Sequence, residues 1–259
     1  MPLEAALARI THLGIGAHPD DLEIMALHGI LAGHGSEANS FGGVVCAHGG
    51  EDRRAVRRGE QETASRIGRY GVLVQLDYSS AEVKSPAARN LENDLAALFA
   101  TARPGTVYTH NPADRHDTHA AVALAVLRVL RRLPAERRPA AVYGGEVWGS
   151  LDWLSAEARV ALDVSGREDL SAALILSFQS QIASGKHYDR AAPGRRLANA
   201  TFTDPYAPDP ARELCFAMDL APLVRDPGLD VSGYVAGWLE KFKNDTLDRL
   251  RRLTDKAGE

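Results

Sequence analysis

Two groups of polar residues in this sequence have the types and spacing that metal-dependent chemistry needs. The first is A-H-P-D-D-L-E at 17–23, which places an imidazole, His18, and two carboxylates, Asp20 and Asp21, directly after a short apolar run. Pro19 suits the first turn of a helix, which would put His18 at the helix cap. Adjacent side chains on a helix point about 100° apart. The two aspartates therefore need not share a task, because one can bind a metal while the other faces a substrate.

The second group, H-N-P-A-D-R-H-D-T-H, fills positions 110–119 after another apolar run. His116 and His119 are three residues apart, so they lie on one helix face if a helix has begun there. In doubly wound sheets the first and fourth strands are commonly neighbours, and ligands bind at the carboxyl ends of the strands. Although they are far apart in sequence, the two groups can therefore face each other across one crevice.

Ligands drawn from both groups can form a His-Asp-His set with an open fourth position, which is a catalytic zinc arrangement. Zinc lowers the pKa of a bound water to around 7 and polarises a carbonyl, and a nearby carboxylate can then act as the base. Taken alone, the first group also fits a helix cap with acidic residues at the positive end of the helix dipole. The second group alone also fits solvated side chains. Their shared position at strand ends favours the metal site.

The intervening segments predict an α/β fold. Apolar runs predict strands at 13–17, 41–47, 71–77, 106–110, 140–148, 159–165 and 213–220. Helices are expected after the first group to about residue 33, and at 53–67, 90–102, 118–133, 170–182 and 234–253. This alternation predicts a Rossmann-like, mostly parallel sheet flanked by helices, with an irregular C-terminal extension. With no internal repeat or low-complexity linker, residues 1–259 are expected to form a single domain.

Composition and charge are those of an ordinary globular protein, with 45% hydrophobic and 25% charged residues. The formal net charge of −4 does not point to a nucleic-acid partner. Cys46 and Cys215 lie outside any metal-spaced motif, which indicates small core residues in a reducing compartment. No apolar run reaches the ~18 residues of a membrane span, and the N-terminal segment lacks signal-peptide features. We expect a cytoplasmic protein, with a homo-oligomer allowed by the sequence.

At these residues the sequence resembles the LmbE-like, or PIG-L, family of zinc-dependent N-deacetylases. The likeness comprises G-x-G-A-H-P-D-D-L-E at 14–23, G-G-E at 49–51, R-x-x-E at 57–60, H-x-P-x-D-x-H-x-x-H at 110–119 and, more weakly, S-F-Q-S-Q at 177–181. The family has a Rossmann-like α/β fold. Its members mostly remove acetyl from N-acetylglucosamine units, which implies a small amino-sugar or sugar-conjugate substrate.

The resemblance implies roles for individual residues of the two groups. It implies that a catalytic Zn²⁺ is bound by His18, Asp21 and His119. It implies a general base at Asp20. It also implies a helper at His116, which stabilises the tetrahedral intermediate or protonates the leaving amine.

The family further places a glutamate and an arginine against the sugar hydroxyls, after the second strand. Glu51, Arg53 and Arg54 occupy that place here and are the predicted substrate-binding residues. The following Arg57 and Arg58 are expected to form a solvated face, paired with glutamates at helix spacing.

The sequence departs from the family pattern at two points. The second motif commonly reads His-x-Asp-His, whereas here Asp117 precedes Thr118, so Asp114 and Asp117 are both candidates for the carboxylate that supports the metal site. The family often has a histidine where this chain has Phe178, so any role of that histidine in substrate binding is absent or moved.

Three other functions compete with N-deacetylation. Gly14-x-Gly16 suggests a dinucleotide-binding oxidoreductase, but Pro19 replaces the third glycine and two acids follow where a pyrophosphate would sit. A catalytically silent carbohydrate-binding protein is disfavoured because the histidine and aspartate set is intact. An amidase that cleaves a different acyl amide would use the same machinery, so the sequence leaves it open.

Overall fold

The computed structural model describes residues 2–85, 89–202, 204 and 206–255, which build a seven-stranded sheet flanked by helices. The strands are β1 His12–Gly16, β2 Phe41–Ala47, β3 Val72–Tyr78, β4 Thr106–His110, β5 Ala141–Gly145, β6 Arg159–Asp163 and β7 Leu214–Asp219. They lie in the order β3-β2-β1-β4-β5-β7-β6. The first five strands pair in parallel, whereas β7 pairs antiparallel with β5 and β6. The predicted α/β fold class is confirmed.

The helices of the described residues mostly follow the predicted positions. They are α1 Leu3–Leu7, α2 Asp21–Met25, α3 Leu27–Gly33, α4 Arg54–Ile67, α5 Ser80–Lys84, α6 Asn90–Thr101, α7 Asp117–Arg132, α8 Glu168–Ile175, α9 Gln179–Gln181, α10 Tyr188–Asn199, α11 Ala221–Arg225 and α12 Val231–Asp255. Short 3₁₀ turns cover Glu51–Arg53 and Ala135–Arg137, and a π-helical turn covers Ile182–Lys186.

Several predicted bounds differ from the structure. The helix expected at 170–182 ends at Ile175, the last residue of α8. The helix expected to run to Gly33 is broken at Ala26, whose φ of −111° separates α2 from α3. β5 ends at Gly145 instead of Trp148, because the chain turns there and the Glu146 carboxylate accepts the N–H of Leu151. The C-terminal part is more regular than predicted, because α10 and α11 form there beside the predicted strands β6 and β7.

Two apolar clusters pack on the sheet and hold it between its helices. In β2, Val44 and Cys46 join one cluster while Phe41 and Val45 join the other. This is expected because successive side chains of a strand point to opposite faces. Cys46 and Cys215 are both buried and free, as predicted for core residues.

The order of the strands sets the position of the crevice. β1 lies between β2 and β4 and pairs with β4 from His12 opposite Thr106 to Gly14 opposite Tyr108. The carboxyl ends of both strands therefore meet at one edge of the sheet, where the direction of winding reverses. Within the described ranges, no helix is both long and apolar enough to cross a membrane.

Candidate functional site

The loop after β1 is held in a tight, buried conformation. The backbone N–H of His18 donates to Asp21 Oδ2 over 2.7 Å, which fixes that carboxylate under the loop. Asp20 has a φ of 97°, a left-handed backbone conformation that residues other than glycine seldom adopt. Its N–H donates to Oε1 of Gln61 on α4 at 3.2 Å, and this bond helps to hold the strained residue in place.

The loop after β4 brings two histidines to the start of α7. His116 caps that helix, because its Nδ1 accepts the N–H of Thr118 over 3.3 Å. His119 lies in the first turn and is fully buried. Since Nδ1 of His116 accepts a hydrogen bond, its proton resides on Nε2. Burial is the largest of the influences that lower the pKa of His116, so the ring is neutral near pH 7.

Three side-chain atoms form a nearly equilateral triangle between the two loops. His18 Nδ1 lies 3.5 Å from Asp21 Oδ2 and 3.3 Å from His119 Nε2, and His119 Nε2 lies 3.4 Å from Asp21 Oδ2. Tetrahedral zinc with bonds of about 2.0–2.1 Å separates its ligand atoms by about 3.4 Å. The side chains of the three predicted ligands thus meet in a geometry that suits zinc.

Two further histidines, His110 and His116, lie near the triangle, but their positions suit a zinc ligand less well. Nitrogen atoms of His116, His18 and His119 lie within 4.8 Å of one another. This limit is longer than the distances of 3.3–3.5 Å between the three atoms of the triangle. His110 Nε2 lies 3.3 Å from Asp21 Oδ2, but it already accepts the Ala17 N–H at 2.9 Å. Burial is the main cause that lowers the pKa of His110 to about 4. A neutral His110 therefore orients the loop and was missed as a site residue, although it opens the second motif.

The other ring nitrogen of each histidine of the triangle lies close to a polar side chain. His18 Nε2 lies 3.2 Å from Ser80 Oγ, and His119 Nδ1 lies 3.4 Å from Asp114 Oδ1. Asp114 is buried and also accepts the N–H of His116 and of Trp148. Such partners fix the orientation of metal-binding imidazoles. Of the two candidate carboxylates, Asp114 lies behind His119, whereas Asp117 is exposed at the start of α7.

We expect Asp114→Asn to weaken zinc affinity by about 10- to 100-fold, the usual effect of removing a partner of a ligating histidine. The amide keeps the shape of the carboxylate but removes the charge that faces His119 Nδ1. Competition with a chromophoric chelator measures the affinity. Asp117→Asn, three residues along at the start of α7, is the matched control and should bind zinc as the parent does. Equal affinities in both variants would show that Asp114 does not support the site.

Asp20 lies beside the triangle and is paired with an arginine. Arg57 on α4 is buried, and its Nη2 donates to Asp20 Oδ2 at 3.0 Å and to the Pro19 carbonyl at 2.7 Å. Burial raises the pKa of Asp20 well above its usual range, Asp21 adds to this rise, and Arg57 opposes it. The prediction of a solvated Arg57 is wrong: it faces inward with Gln61, while Arg58 is exposed and lies 3.6 Å from Glu62.

Gly49 has to be glycine for the arginine to reach this place. Its φ of 71° is left-handed, and a Cβ there would lie 1.9 Å from Nη1 of Arg57. That Nη1 donates to the Gly49 carbonyl over 2.7 Å. The G-G-E and R-x-x-E motifs are therefore parts of one structure, in which α4 clamps the loop after β1.

The predicted substrate-binding residues lie at the carboxyl end of β2 and are exposed. The Glu51 side chain is 72% exposed and accepts a bond from Arg54 Nη1, while Arg54 also pairs with Asp77. Arg53 Nη1 donates to the Ser180 carbonyl at 3.3 Å. Phe178, in the place of the family histidine, is buried in the core and offers nothing to a ligand.

Comparison with known proteins agrees with this geometry. Residues 13–130 match the sequence model of the PIG-L family, which is described as GlcNAc-PI de-N-acetylase. No curated protein sequence gives a significant match. Every predicted site residue lies inside the matched segment.

Solved structures with the same fold include enzymes of two kinds. N,N'-diacetylchitobiose deacetylase from Pyrococcus horikoshii is 15% identical with a TM-score of 0.61, covering 84% of this chain and 87% of that chain. A triple mutant of the deacetylase Orf2*, from the teicoplanin biosynthetic pathway, is 14% identical with a TM-score of 0.62. The match covers 80% of this chain and 97% of that chain. GalB, the 4-carboxy-2-hydroxymuconate hydratase from Pseudomonas putida, is 16% identical with a TM-score of 0.55, covering 81% and 95%. At these identities the likeness establishes the fold and does not decide the reaction.

The family model covers the segment that carries both polar groups and the G-G-E and R-x-x-E motifs. The segment that contains the site, residues 13–130, thus belongs to the PIG-L, or LmbE-like, family.

Proposed function

We propose that this chain is a zinc-dependent N-deacetylase that removes an acyl group, acetyl in the simplest case, from the nitrogen of an N-acetylglucosamine-type substrate. The triangle of His18 Nδ1, Asp21 Oδ2 and His119 Nε2, with Asp20 beside it, is the observation that carries the proposal. The fit of this triangle to zinc and the PIG-L match both support it. Zinc bound there would polarise the amide carbonyl and make a water molecule more acidic.

The residues of the chain then divide the work of amide hydrolysis. Asp20 accepts a proton from the water that attacks the carbonyl carbon, and its burial suits a base that works near neutral pH. His116 presents Nε2–H to the oxygen that gains negative charge. The C–N bond breaks, the amine nitrogen takes up the transferred proton, and a carboxylic acid and a free amine leave.

The polar residues after β2 suit the hydroxyl groups of the amine product. Glu51, Arg53 and Arg54 offer both hydrogen-bond donors and acceptors at an exposed rim. A dinucleotide would meet the buried carboxylates of Asp20 and Asp21 where its pyrophosphate has to sit, so an oxidoreductase fits this site poorly.

Release of acetate from a panel of N-acetylated amino sugars and their conjugates tests the proposal. Purified protein is assayed after chelation, after zinc is restored, and as the zinc-loaded His119→Ala variant. We expect activity only in the zinc-restored parent, with about one zinc per chain. Full activity in protein shown by elemental analysis to be metal-free contradicts the mechanism.

A further inference from the structure

A cavity adjoins the site on the side away from β2. It has a volume of about 350 Å³ and lies between α2, α10, β7 and the turn after β5. We call it the α10 cavity. Its apolar wall includes Ile24, Met25, Val147, Trp148, Cys215 and Phe216. Most of the wall comes from residues beyond 130, outside the segment that matches the family model.

The α10 cavity opens next to the reacting groups. Asp20 forms part of its wall, and the Trp148 ring centroid lies 6.1 Å from that of His116. The backbone at Trp148 is held there because its main-chain N–H donates to Asp114 Oδ2 at 3.2 Å. A group attached to an amide between Asp20 and His116 can therefore enter the cavity.

The charged side chains of the wall have contacts within the protein. Lys186, at the exposed rim of the cavity, has its Nζ 4.8 Å from the centroid of the Trp148 ring. Glu146 accepts a bond from Asn199 at 2.7 Å, and Arg195 donates to the Val147 carbonyl at 2.5 Å. Arg196 donates to the Glu23 carbonyl at 2.8 Å. Because these groups do not need partners from a ligand, the surface left for a ligand is mainly apolar. An apolar ligand gains from burial there, whereas a polyhydroxylated sugar would lose its hydrogen bonds to water.

The two sides of the site therefore suit the two halves of an amide. The exposed, charged rim after β2 suits a sugar amine, and the α10 cavity suits an apolar acyl chain. A volume of about 350 Å³ is far larger than an acetyl methyl needs, since a group of that size takes about 30 Å³. It also falls in the range of about 300–1,000 Å³ that is typical of small-molecule sites.

We propose that the α10 cavity binds the acyl chain, and that the preferred substrate is an amino sugar whose nitrogen carries a linear acyl group of roughly six to ten carbons. This inference rests on the proposed function and names its substrate class. Acetyl is then a poor substrate, because it leaves the cavity unfilled.

A chain-length series tests the proposal. We expect kcat/KM for N-acylglucosamines to rise about two- to fourfold per methylene from acetyl through hexanoyl to octanoyl. Ala191→Phe places an aromatic ring in the cavity from the exposed face of α10 and should abolish that rise. Ala198→Phe is the matched control, because this exposed position on the same helix does not line the α10 cavity. A flat series, or equal behaviour of the two variants, overturns the proposal.

Two further experiments distinguish a failure of the cavity assignment from a failure of the proposed reaction. If octyl N-acetylglucosaminide is preferred and the acyl series is flat, the cavity binds the amine side and our assignment is wrong. Calorimetry with zinc-loaded protein gives a readout without turnover: N-octanoylglucosamine should bind at least tenfold more tightly than N-acetylglucosamine, and Ala191→Phe should remove the difference. If nothing is hydrolysed but this binding is seen, the proposed reaction fails and the cavity assignment stands. Equal binding of both compounds refutes the cavity assignment whatever the activity.

Discussion

Asp20→Asn should lower kcat by a factor of about 10²–10⁴ while zinc remains bound, the usual contribution of a positioned acid or base. Asparagine keeps the shape of the side chain and an oxygen for Arg57, but it cannot accept a proton. Asp20 lines the α10 cavity beside the triangle, so it lies near the substrate without belonging to the ligand set.

Asp21→Asn is the matched comparison, since it makes the same chemical change one residue along. Asp21 Oδ2 lies within 3.5 Å of nitrogens of His18, His110 and His119. Burial alone would raise the pKa of Asp21, but the facing histidines hold it well below its usual range. The variant should bind zinc weakly, and excess zinc should restore part of its activity.

Zinc content and kcat are measured for both variants at low and high zinc. The expected pattern is a zinc-replete, slow Asp20→Asn enzyme and a zinc-poor, rescuable Asp21→Asn enzyme. If instead Asp20→Asn loses zinc and recovers with it while Asp21→Asn does not, the two roles are reversed. If both keep zinc and full activity, the site is not where hydrolysis occurs.

The triangle of His18, Asp21 and His119 was predictable from sequence because the residues within each of the two groups are close in sequence. His18 and Asp21 are three residues apart, His116 and His119 likewise, and the alternation of strands and helices implies that β1 and β4 are neighbours. The two groups meet because β1 and β4 are neighbours in the sheet. The usual strand order of doubly wound sheets was therefore enough to predict that their side chains lie close together.

Arg57 was misread because its environment depends on tertiary packing. A pattern of arginines and glutamates on α4 is typical of a solvated helix face, and hydrophobic periodicity cannot show that a polar residue points inward. The available signal was the spacing of Arg57, Gln61 and Ala64, which share one buried face at i, i+4 and i+7. Gly49, two residues after the end of the apolar run at Ala47, was the second signal.

The α10 cavity was not predictable because segments distant in sequence form it. Met25, Val147 and Cys215 come from three parts of the chain, and only β7 inserting beside β5 brings them together. An antiparallel strand at that place does not follow from the parallel alternation of the first five strands. The sequence could therefore indicate the reaction but not the shape of the substrate.

Arg57→Met should destabilise the protein by about 3–5 kcal/mol, because it leaves a buried carboxylate without its charged partner. The side chains of Arg57 and Asp20 are 7% and 6% exposed, so water cannot replace the lost bonds. The carbonyls of Pro19 and Gly49 lose their donor as well. Urea denaturation with excess chelator measures the change. Arg58→Met is the matched control and should cost less than about 1 kcal/mol, because Arg58 forms an exposed pair with Glu62.

A double-mutant cycle identifies the cause of that loss. If the unpaired Asp20 charge is responsible, Arg57→Met should cost roughly 1–3 kcal/mol less in an Asp20→Asn background than in the parent. The coupling arises because a neutral amide is cheaper to leave in a buried place than a carboxylate. Strict additivity would instead assign the loss to the backbone bonds with Pro19 and Gly49. In that case Arg57 would hold the loop in shape and would have little influence on the proton affinity of Asp20.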